Sequence, residues 1–287
     1  MRLDDQRRSS NVEDERGSGG GGGGFGLPVI GGGIGTLVIL IIAALFGINP
    51  RALLQQQPAQ QQAQRRAPAQ PGAAPADPQA DFVAAVLGDT EDVWHAYFKE
   101  HFGKDYEEPH LVLFSGATQS GCGFAQSATG PFYCPADEKV YIDLEFYREL
   151  KERFQAPGDF AQAYVIAHEV GHHIQNLLGT SEKVHAMEER ASQRQANALS
   201  VRLELQADCY AGVWANHAQK MKNILEPGDV EEALSAASAI GDDHLQMQSR
   251  GYVTPDSFTH GSSTQRVSWF KRGFEGGQLE NCDTFSR

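Results

Sequence analysis

The feature that most limits what this chain can fold into is one uninterrupted helical stretch with two histidines. Residues 159–178 contain no proline, and Asp159 with Gln162 predicts a capping box at the start. Inside it lies the run His168-Glu169-Val170-Gly171-His172. HExxH on a helix places two imidazoles one turn apart on one face, a spacing typical of a zinc site. The surrounding residues are apolar, so a buried pair of core histidines bonded to backbone or water is the alternative.

A second helical stretch supplies carboxylates with matching spacing. Glu204 and Asp208 lie one turn apart, so one can bind a metal while the other accepts a ring N–H from a ligating histidine. A solvated acidic helix face is the alternative. We expect the ligands His168, His172 and Glu204, with Asp208 behind them. Small residues would let this helix approach the first one closely: Ala207, Ala211, Gly212 and Ala215.

The glutamate of the motif, Glu169, points in a different direction from the two histidines. Glu169 follows His168 and is rotated from it by about 100°, so it can reach a metal-bound water without being a ligand. This position predicts a general base. A third histidine just beyond the motif, as metzincins have, is not present, because Gln175 and Leu178 occupy those positions.

Several motifs together resemble the neutral zinc metallopeptidase family of membrane-anchored bacterial proteins. They are residues 168–175 and 204–212, with further similarity at 122–125, 130–135, 239–243 and 258–261. The similarity covers most of residues 81–287. It implies a gluzincin-like (zincin-like) fold, Zn²⁺ as the cofactor and hydrolysis of peptide bonds.

A wider similarity draws attention to the C-terminal region. Membrane-linked peptidases with HExxH and ExxxD carry a later Thr-His followed by arginine, and His260 and Arg266 resemble that pattern. Gly261 stands where those relatives have proline. The resemblance implies that His260 stabilises the oxyanion of the transition state. Three tyrosines are further candidates for that donor: Tyr164, Tyr210 and Tyr252.

The secondary-structure pattern predicts an α+β class, mostly helical with a small sheet. Residues 110–116 and 139–144 have the β-branched and aliphatic character of strands, and either could hold substrate along a sheet edge. Further helices are expected over 229–248, beginning with a capping box of Asp229 and Glu232, and over 263–274. A helical region from 181 to 221 should break near 192–197.

The chain has 4 cysteines, an even number that favours disulfides in an exported protein. We favour Cys122 with Cys134, which closes a local loop, and Cys209 with Cys282, which holds the C-terminal segment beside the site. Reduced buried thiols are the alternative. A zinc bound by all four cysteines is disfavoured, because no CxxC spacing occurs.

The composition of the N-terminal third of the chain divides it into three segments. Residues 25–48 carry no charge and predict a transmembrane anchor, with a cleaved signal peptide as the alternative. Residues 1–24 predict a disordered cytoplasmic tail, and the Gln-, Ala- and Pro-rich residues 49–80 predict a linker. The zinc metallopeptidase domain is then 81–287. This arrangement is a single-pass protein of the inner (cytoplasmic) membrane, with its catalytic domain on the extracytoplasmic side.

Charge restricts the partners. Asp and Glu number 37 against 24 Lys and Arg, a net charge of −13, which argues against nucleic acid. The sequence therefore predicts a membrane-anchored zinc metallopeptidase, an endopeptidase acting on polypeptides. A zinc-stabilised envelope binding protein with vestigial catalysis is the alternative, and peptides of the cell wall are a second class of substrate.

Overall fold

The computed structural model describes residues 1–16 and 77–286, and it is a mostly helical α+β fold with a small sheet. The described helices are α1 Pro78–Phe102, α2 Glu145–Glu152, α3 Asp159–Leu177, α4 Thr180–Glu188, α5 Gln193–Lys222, α6 Asp229–Ala239, α7 Asp242–Arg250 and α8 Ser263–Gly276. The strands are β1 Val12–Asp14, β2 His110–Phe114, β3 Ala117–Ser120, β4 Gly123–Gln126, β5 Phe132–Cys134 and β6 Lys139–Asp143. Short 3-10 turns occur at Ser127–Thr129, Pro255–Ser257 and Leu279–Cys282.

The two strands expected from the sequence form the centre of a four-stranded sheet. Its order is β1-β2-β6-β5, with β1, β2 and β6 parallel and β5 antiparallel to β6. Strands β3 and β4 form a separate hairpin. Because β2 and β6 are flanked on both sides, neither offers the free edge that we expected to hold substrate. Among the described residues, the edges of this sheet are β1 and β5, and β5 packs against helix α3.

The prediction of a disordered tail is wrong for residues 1–16. Strand β1 pairs with β2, and the backbone N–H of Ser9 donates to the Ala84 carbonyl at 2.9 Å. Lys139 on β6 forms an ion pair of 2.7 Å with Glu13. The charged composition of this segment suggested disorder, but its charged residues form ion pairs with the domain instead of facing water. The predicted linker also ends earlier than residue 80, since α1 begins at Pro78.

The main core lies between the helices and one face of the sheet. Strand residues alternate, so that Leu111 and Leu113 enter this core while Val112 and Phe114 enter a smaller cluster on the opposite face. Helix α5 packs along both α3 and α8. The contact with α8 is close, because a Cβ on Gly212 would lie 2.1 Å from the Phe270 carbonyl oxygen. Gly212 therefore serves the α8 contact rather than the approach to α3 that we expected.

Two helix predictions need correction. The helix expected over 229–248 is broken, because α6 ends at Ala239 and α7 begins at Asp242. A Cβ on Gly241, between the two, would lie 2.4 Å from the Ser263 backbone nitrogen, so the chain turns there to admit the start of α8. Neither predicted capping box forms, since the N-caps are Gly158 and Gly228 without side-chain caps. The break predicted near 192–197 occurs slightly earlier, since α4 ends at Glu188 and α5 begins at Gln193.

Both favoured disulfides are present. Cys122 joins Cys134 with Cα atoms 5.8 Å apart, and Cys209 joins Cys282 at 5.5 Å. The first ties β5 to the β3–β4 hairpin, and the second holds the C-terminal segment on α5. Across residues 1–16 and 77–286, no helix has the length and apolar character needed to cross a bilayer. The predicted anchor, residues 25–48, lies outside the described residues.

Candidate metal centre

The helices α3 and α5 cross at the HExxH motif. Gly171 lies at the crossing, where a Cβ would stand 3.0 Å from the Ala207 carbonyl oxygen and 3.1 Å from its Cα. This close approach brings the acidic pair of α5 opposite the histidines of α3. The small residue inside the motif is thus what allows the two halves of the site to meet.

The three expected ligands converge. His168 Nε2 lies 3.2 Å from one carboxylate oxygen of Glu204, and His172 Nε2 lies 3.4 Å from the other. One potential ligand atom from each residue falls within 4.8 Å of the others. Among the described residues Asp159, Asp229 and Glu232 also converge, and there the Met1 amine lies 2.7 Å from Asp159 and 3.4 Å from Asp229.

The outer ring nitrogens determine which histidine nitrogen faces the centre. His168 Nδ1 lies 2.8 Å from Asp208, and His172 Nδ1 lies 2.8 Å from the Gln175 side-chain oxygen. Both partners are acceptors here, so each Nδ1 carries a proton and each Nε2 is the ring nitrogen that faces Glu204. Two imidazole nitrogens and one carboxylate with oriented outer partners form the donor set that Zn²⁺ prefers.

Access to this centre is partial. The His172 and Glu204 side chains are 15% and 17% exposed, whereas His168 is 7% exposed. Two of the three candidate ligands thus border solvent, and a catalytic zinc site, which keeps one position open, needs such access.

Asp208 is the centre of a buried polar network. It accepts from Tyr164 Oη at 2.5 Å, and both of its oxygens accept from Arg266 at 2.9 Å. Burial raises the pKa of Asp208, but the charges of Arg266 and His168 outweigh it, and the pKa falls below its usual value. The aspartate therefore stays ionised and holds the His168 ring. The sequence singled out Arg266 by resemblance, and its partner is Asp208.

Glu169 stands beside the histidines in a dry environment. It is 7% exposed, and burial raises the pKa of its carboxyl, although the nearby His168 and His172 oppose that shift. A raised pKa brings a carboxylate closer to the value that a general base needs near neutral pH. The predicted role of Glu169 is compatible with this position.

His173 faces away from the ligands, on the other side of α3. Its Nε2 donates to the Glu107 carbonyl at 2.7 Å, and its Nδ1 accepts from Tyr133 Oη at 3.0 Å. Burial lowers the pKa of His173 to about 4. Tyr133 is the middle residue of β5, so this neutral histidine attaches the edge strand to the helix that carries the ligands.

His260 lies on a loop near the metal centre. Ser200 Oγ on α5 donates to the Thr259 carbonyl at 2.8 Å, one turn before Glu204. The His260 side chain is 45% exposed. Burial lowers its pKa, but the charges of Glu204 and Asp242 prevail and raise it. The structure thus places this histidine close enough to Glu204 for their charges to interact.

The three tyrosines considered as oxyanion donors lie elsewhere. Tyr164 is fully buried and its hydroxyl is committed to Asp208. Tyr210 is buried beside Trp94, and Tyr252 is 60% exposed in a surface turn. None of them replaces His260 as the candidate donor.

Sequence reasoning did not find two residues that the structure brings to this region. Gln175 orients His172, and its amide nitrogen donates to the Leu203 carbonyl at 2.7 Å, which fixes it between the helices. The sequence feature that could have identified Gln175 is its position one turn after His172 on the same helix. Asp242, which the sequence analysis included only in the similarity over residues 239–243, is buried and contacts the His260 loop.

Comparison with known proteins agrees with this geometry. A family described as "Putative neutral zinc metallopeptidase" matches residues 1–285. The uncharacterized protein YpfJ of Escherichia coli strain K12 is 52% identical over 291 residues, which cover 100% of this chain and 99% of that protein. The uncharacterized protein Mb2605 of Mycobacterium bovis is 47% identical over 191 residues, 63% of this chain and 64% of that protein. No solved structure matches the chain.

The fold and the site define a protein of the zinc-metallopeptidase class, with HExxH on one helix and the acidic ligand on a second. The family match spans nearly the whole sequence, including the N-terminal segment that completes the sheet. This chain belongs to the neutral zinc metallopeptidase family.

Proposed function

We propose that this protein is a zinc-dependent endopeptidase in which His168, His172 and Glu204 hold the metal and Glu169 is the general base. The observation that carries the proposal is the convergence of both Nε2 atoms on the two oxygens of Glu204, with both Nδ1 atoms satisfied behind them. Bound zinc would lower the pKa of water and polarise the scissile carbonyl.

The protein side chains perform the proton transfers. Glu169 takes a proton from the attacking water and delivers it to the amide nitrogen of the leaving peptide, which requires a carboxylate whose pKa has been raised toward neutrality. His260 donates a hydrogen bond to the oxygen that gains negative charge. Asp208 and Arg266 keep the His168 ring in place during the reaction, and Gln175 does so for His172.

The sheet supports an extended substrate. Strand β5 is an antiparallel edge beside α3, so a peptide can add to it by main-chain hydrogen bonds. Such pairing reads no chain terminus, which favours internal cleavage. His173 and Tyr133 hold this edge against the ligand helix at 3.0 Å. We therefore propose unfolded or extended polypeptide segments as the substrates.

Metal analysis of the full chain tests the assignment. We expect one zinc per chain in the parent and in Glu169→Gln, and a loss in Glu204→Ala, after dialysis against a weak chelator. Hydrolysis of an unfolded protein should fall about 10³-fold in Glu169→Gln while zinc is kept. Unchanged zinc in Glu204→Ala would refute the ligand set. Zinc binding without hydrolysis by the parent would favour the zinc-stabilised binding protein.

We further propose that the domain works in an oxidising, extracytoplasmic compartment. All four cysteines are paired in disulfides, which persist there and are rare in the cytosol. Strand β1 pairs with β2, which supports one compartment for residues 1–16 and 77–286. A cytoplasmic tail over residues 1–24 with an anchor at 25–48 would require this pairing to be absent in the membrane-bound protein.

Cysteine labelling decides this point. Ser10 and Lys183 are exposed positions on the two described segments, and the native cysteines are all blocked by disulfides. We expect Ser10→Cys and Lys183→Cys to react equally with a membrane-impermeant maleimide in intact bacteria. Reaction of Ser10→Cys only after permeabilisation would show that the tail lies in the cytoplasm and that β1 is unpaired in the membrane-bound protein.

A further inference from the structure

Two segments of the chain have contacts that metal ligation does not explain. One is the loop Thr259 to Gly261, and the other is Gly241-Asp242-Asp243 at the start of α7. They are distant in sequence but adjacent in the structure. Asp242 is 8% exposed, and its carboxylate is directed at the loop instead of solvent.

The contacts between Asp242 and the loop are unusually complete. One carboxylate oxygen accepts three successive backbone N–H groups, from Thr259 at 2.8 Å, His260 at 2.7 Å and Gly261 at 3.0 Å. The Asp242 N–H donates back to the Gly261 carbonyl at 2.9 Å. Charge-assisted bonds of this kind are stronger than neutral ones, so the carboxylate determines the path of the loop.

The second oxygen of Asp242 faces the imidazole. It lies 3.4 Å from His260 Nδ1, while Thr259 Oγ1 lies 3.0 Å from the same nitrogen. Nδ1 is thus occupied by these two groups, which leaves Nε2 as the ring nitrogen available to a ligand.

The opposite side of the loop rests on α5. Gly261 has a φ of +94°, and a Cβ there would lie 3.3 Å from Val201 and 3.2 Å from Leu205, the residue after Glu204. Proline cannot adopt a positive φ, which explains why glycine replaces the proline of more distant peptidases. The loop is held between Asp242 on one side and the turn around Glu204 on the other.

We infer that Asp242 is a positioning residue, which holds the Thr259–Gly261 loop and turns His260 so that Nδ1–H faces Asp242 and Nε2–H faces the reacting carbonyl. The inference rests on the proposed peptidase function for the role of His260, but not for its orientation.

Asp242→Asn separates the two tasks of this side chain. Its amide oxygen can still accept the three backbone N–H groups, whereas its NH₂ would face His260 Nδ1 and require that nitrogen to accept. Asp242→Ala removes both contacts. Asp243→Asn is the matched control, because Asp243 accepts from the Ser263 N–H at 2.7 Å and has no contact with His260.

The first measurement does not depend on turnover. We would record ¹⁵N-histidine ring spectra of the zinc-loaded full chain and identify His260 by the signals missing in His260→Gln. The parent should show a protonated Nδ1, and Asp242→Asn should show an unprotonated one while Asp243→Asn stays like the parent. The same His260 spectrum in the parent and in Asp242→Asn would overturn the inference, whether or not the protein cleaves peptides.

The second measurement uses turnover of an unfolded protein. Asp242→Asn should lower kcat about 10-fold with KM within about twofold, and His260→Gln about 100-fold, because the contact matters in the transition state. Combined with His260→Gln, Asp242→Asn should add no further loss. Additive losses, or an equal loss in Asp243→Asn, would contradict positioning through His260. A parent without turnover would count against the proposed function alone.

Discussion

The two faces of helix α3 each bury a histidine, and they shift its pKa in opposite directions. On one face, burial lowers the pKa of His168, but the carboxylates of Asp208 and Glu204 outweigh it and raise the pKa to about 10. On the other face, His173 meets a carbonyl and a tyrosine hydroxyl, and burial lowers its pKa to about 4. The ligand face is thus built for positive charge, and the far face for a neutral ring.

The difference shows what distinguishes a metal site from a core histidine. Both histidines are buried and hydrogen-bonded at both ring nitrogens. Only the ligand face places carboxylates around the imidazole, and carboxylates stabilise either a proton or a metal cation there. The HExxH motif contributes the histidines, and the carboxylates of α5 determine which face of α3 can hold a cation.

Removing the buried cation of the ligand face should have the largest effect on stability. Arg266→Met leaves Asp208 ionised and buried without its bidentate partner, so we expect a loss of about 4 kcal/mol in the free energy of unfolding. Urea denaturation measures it. Arg272→Met, on an exposed arginine stacked over Trp269, is the control and should change stability by less than about 1 kcal/mol. Equal effects would mean that the network contributes little.

Adjacent substitutions on the two faces sharpen the contrast. His172→Leu should abolish stable zinc binding, because it removes one of three ligands. His173→Leu should retain zinc but destabilise the fold by about 2 kcal/mol, since the Tyr133 hydroxyl and the Glu107 carbonyl lose their partner. Metal content and thermal unfolding of the same samples test both. Loss of zinc in His173→Leu would show that the faces are not independent.

The neutral state of His173 predicts a specific pH dependence. Its folded pKa of about 4 is below the ordinary 6.5, so the unfolded chain gains a proton as the pH falls through 6.5 while the folded chain does not. The parent should therefore lose about 2 kcal/mol more stability between pH 7 and 5 than His173→Gln does. Denaturation of both proteins in chelator at each pH measures this difference. Parallel curves would contradict a buried neutral His173.

The smallest expected effect concerns the orientation of a ligand. Gln175→Leu removes the acceptor behind His172 Nδ1 and should weaken zinc affinity about 10-fold, measured by competition with a chromogenic chelator. Gln162→Leu is a matched control at the start of the same helix, where the amide contacts the Gly158 carbonyl. An unchanged affinity in Gln175→Leu would show that the ring is held by packing alone.

Sequence reasoning was most successful where the information is local. The helix around HExxH, the strands at 110–114 and 139–143 and both disulfides follow from periodicity, β-branched residues and cysteine placement. It failed where a distant contact overrides local preference. The helix expected over 229–248 breaks at Gly241 because Ser263 occupies the space of a side chain there. The charged segment 1–16 is ordered and contributes β1 because Arg7 pairs with Glu91 and Glu13 pairs with Lys139.

By itself, the sequence determined the donor types of the candidate metal site and their spacing along two helices, because both follow from HExxH and ExxxD. Only the tertiary structure decided which other side chains surround those donors. Gln175 stands behind His172, Asp242 holds His260, and β1 and β5 rather than β2 or β6 form the edges of the sheet. Helical periodicity relates residues one turn apart, whereas these relations depend on how separate elements pack.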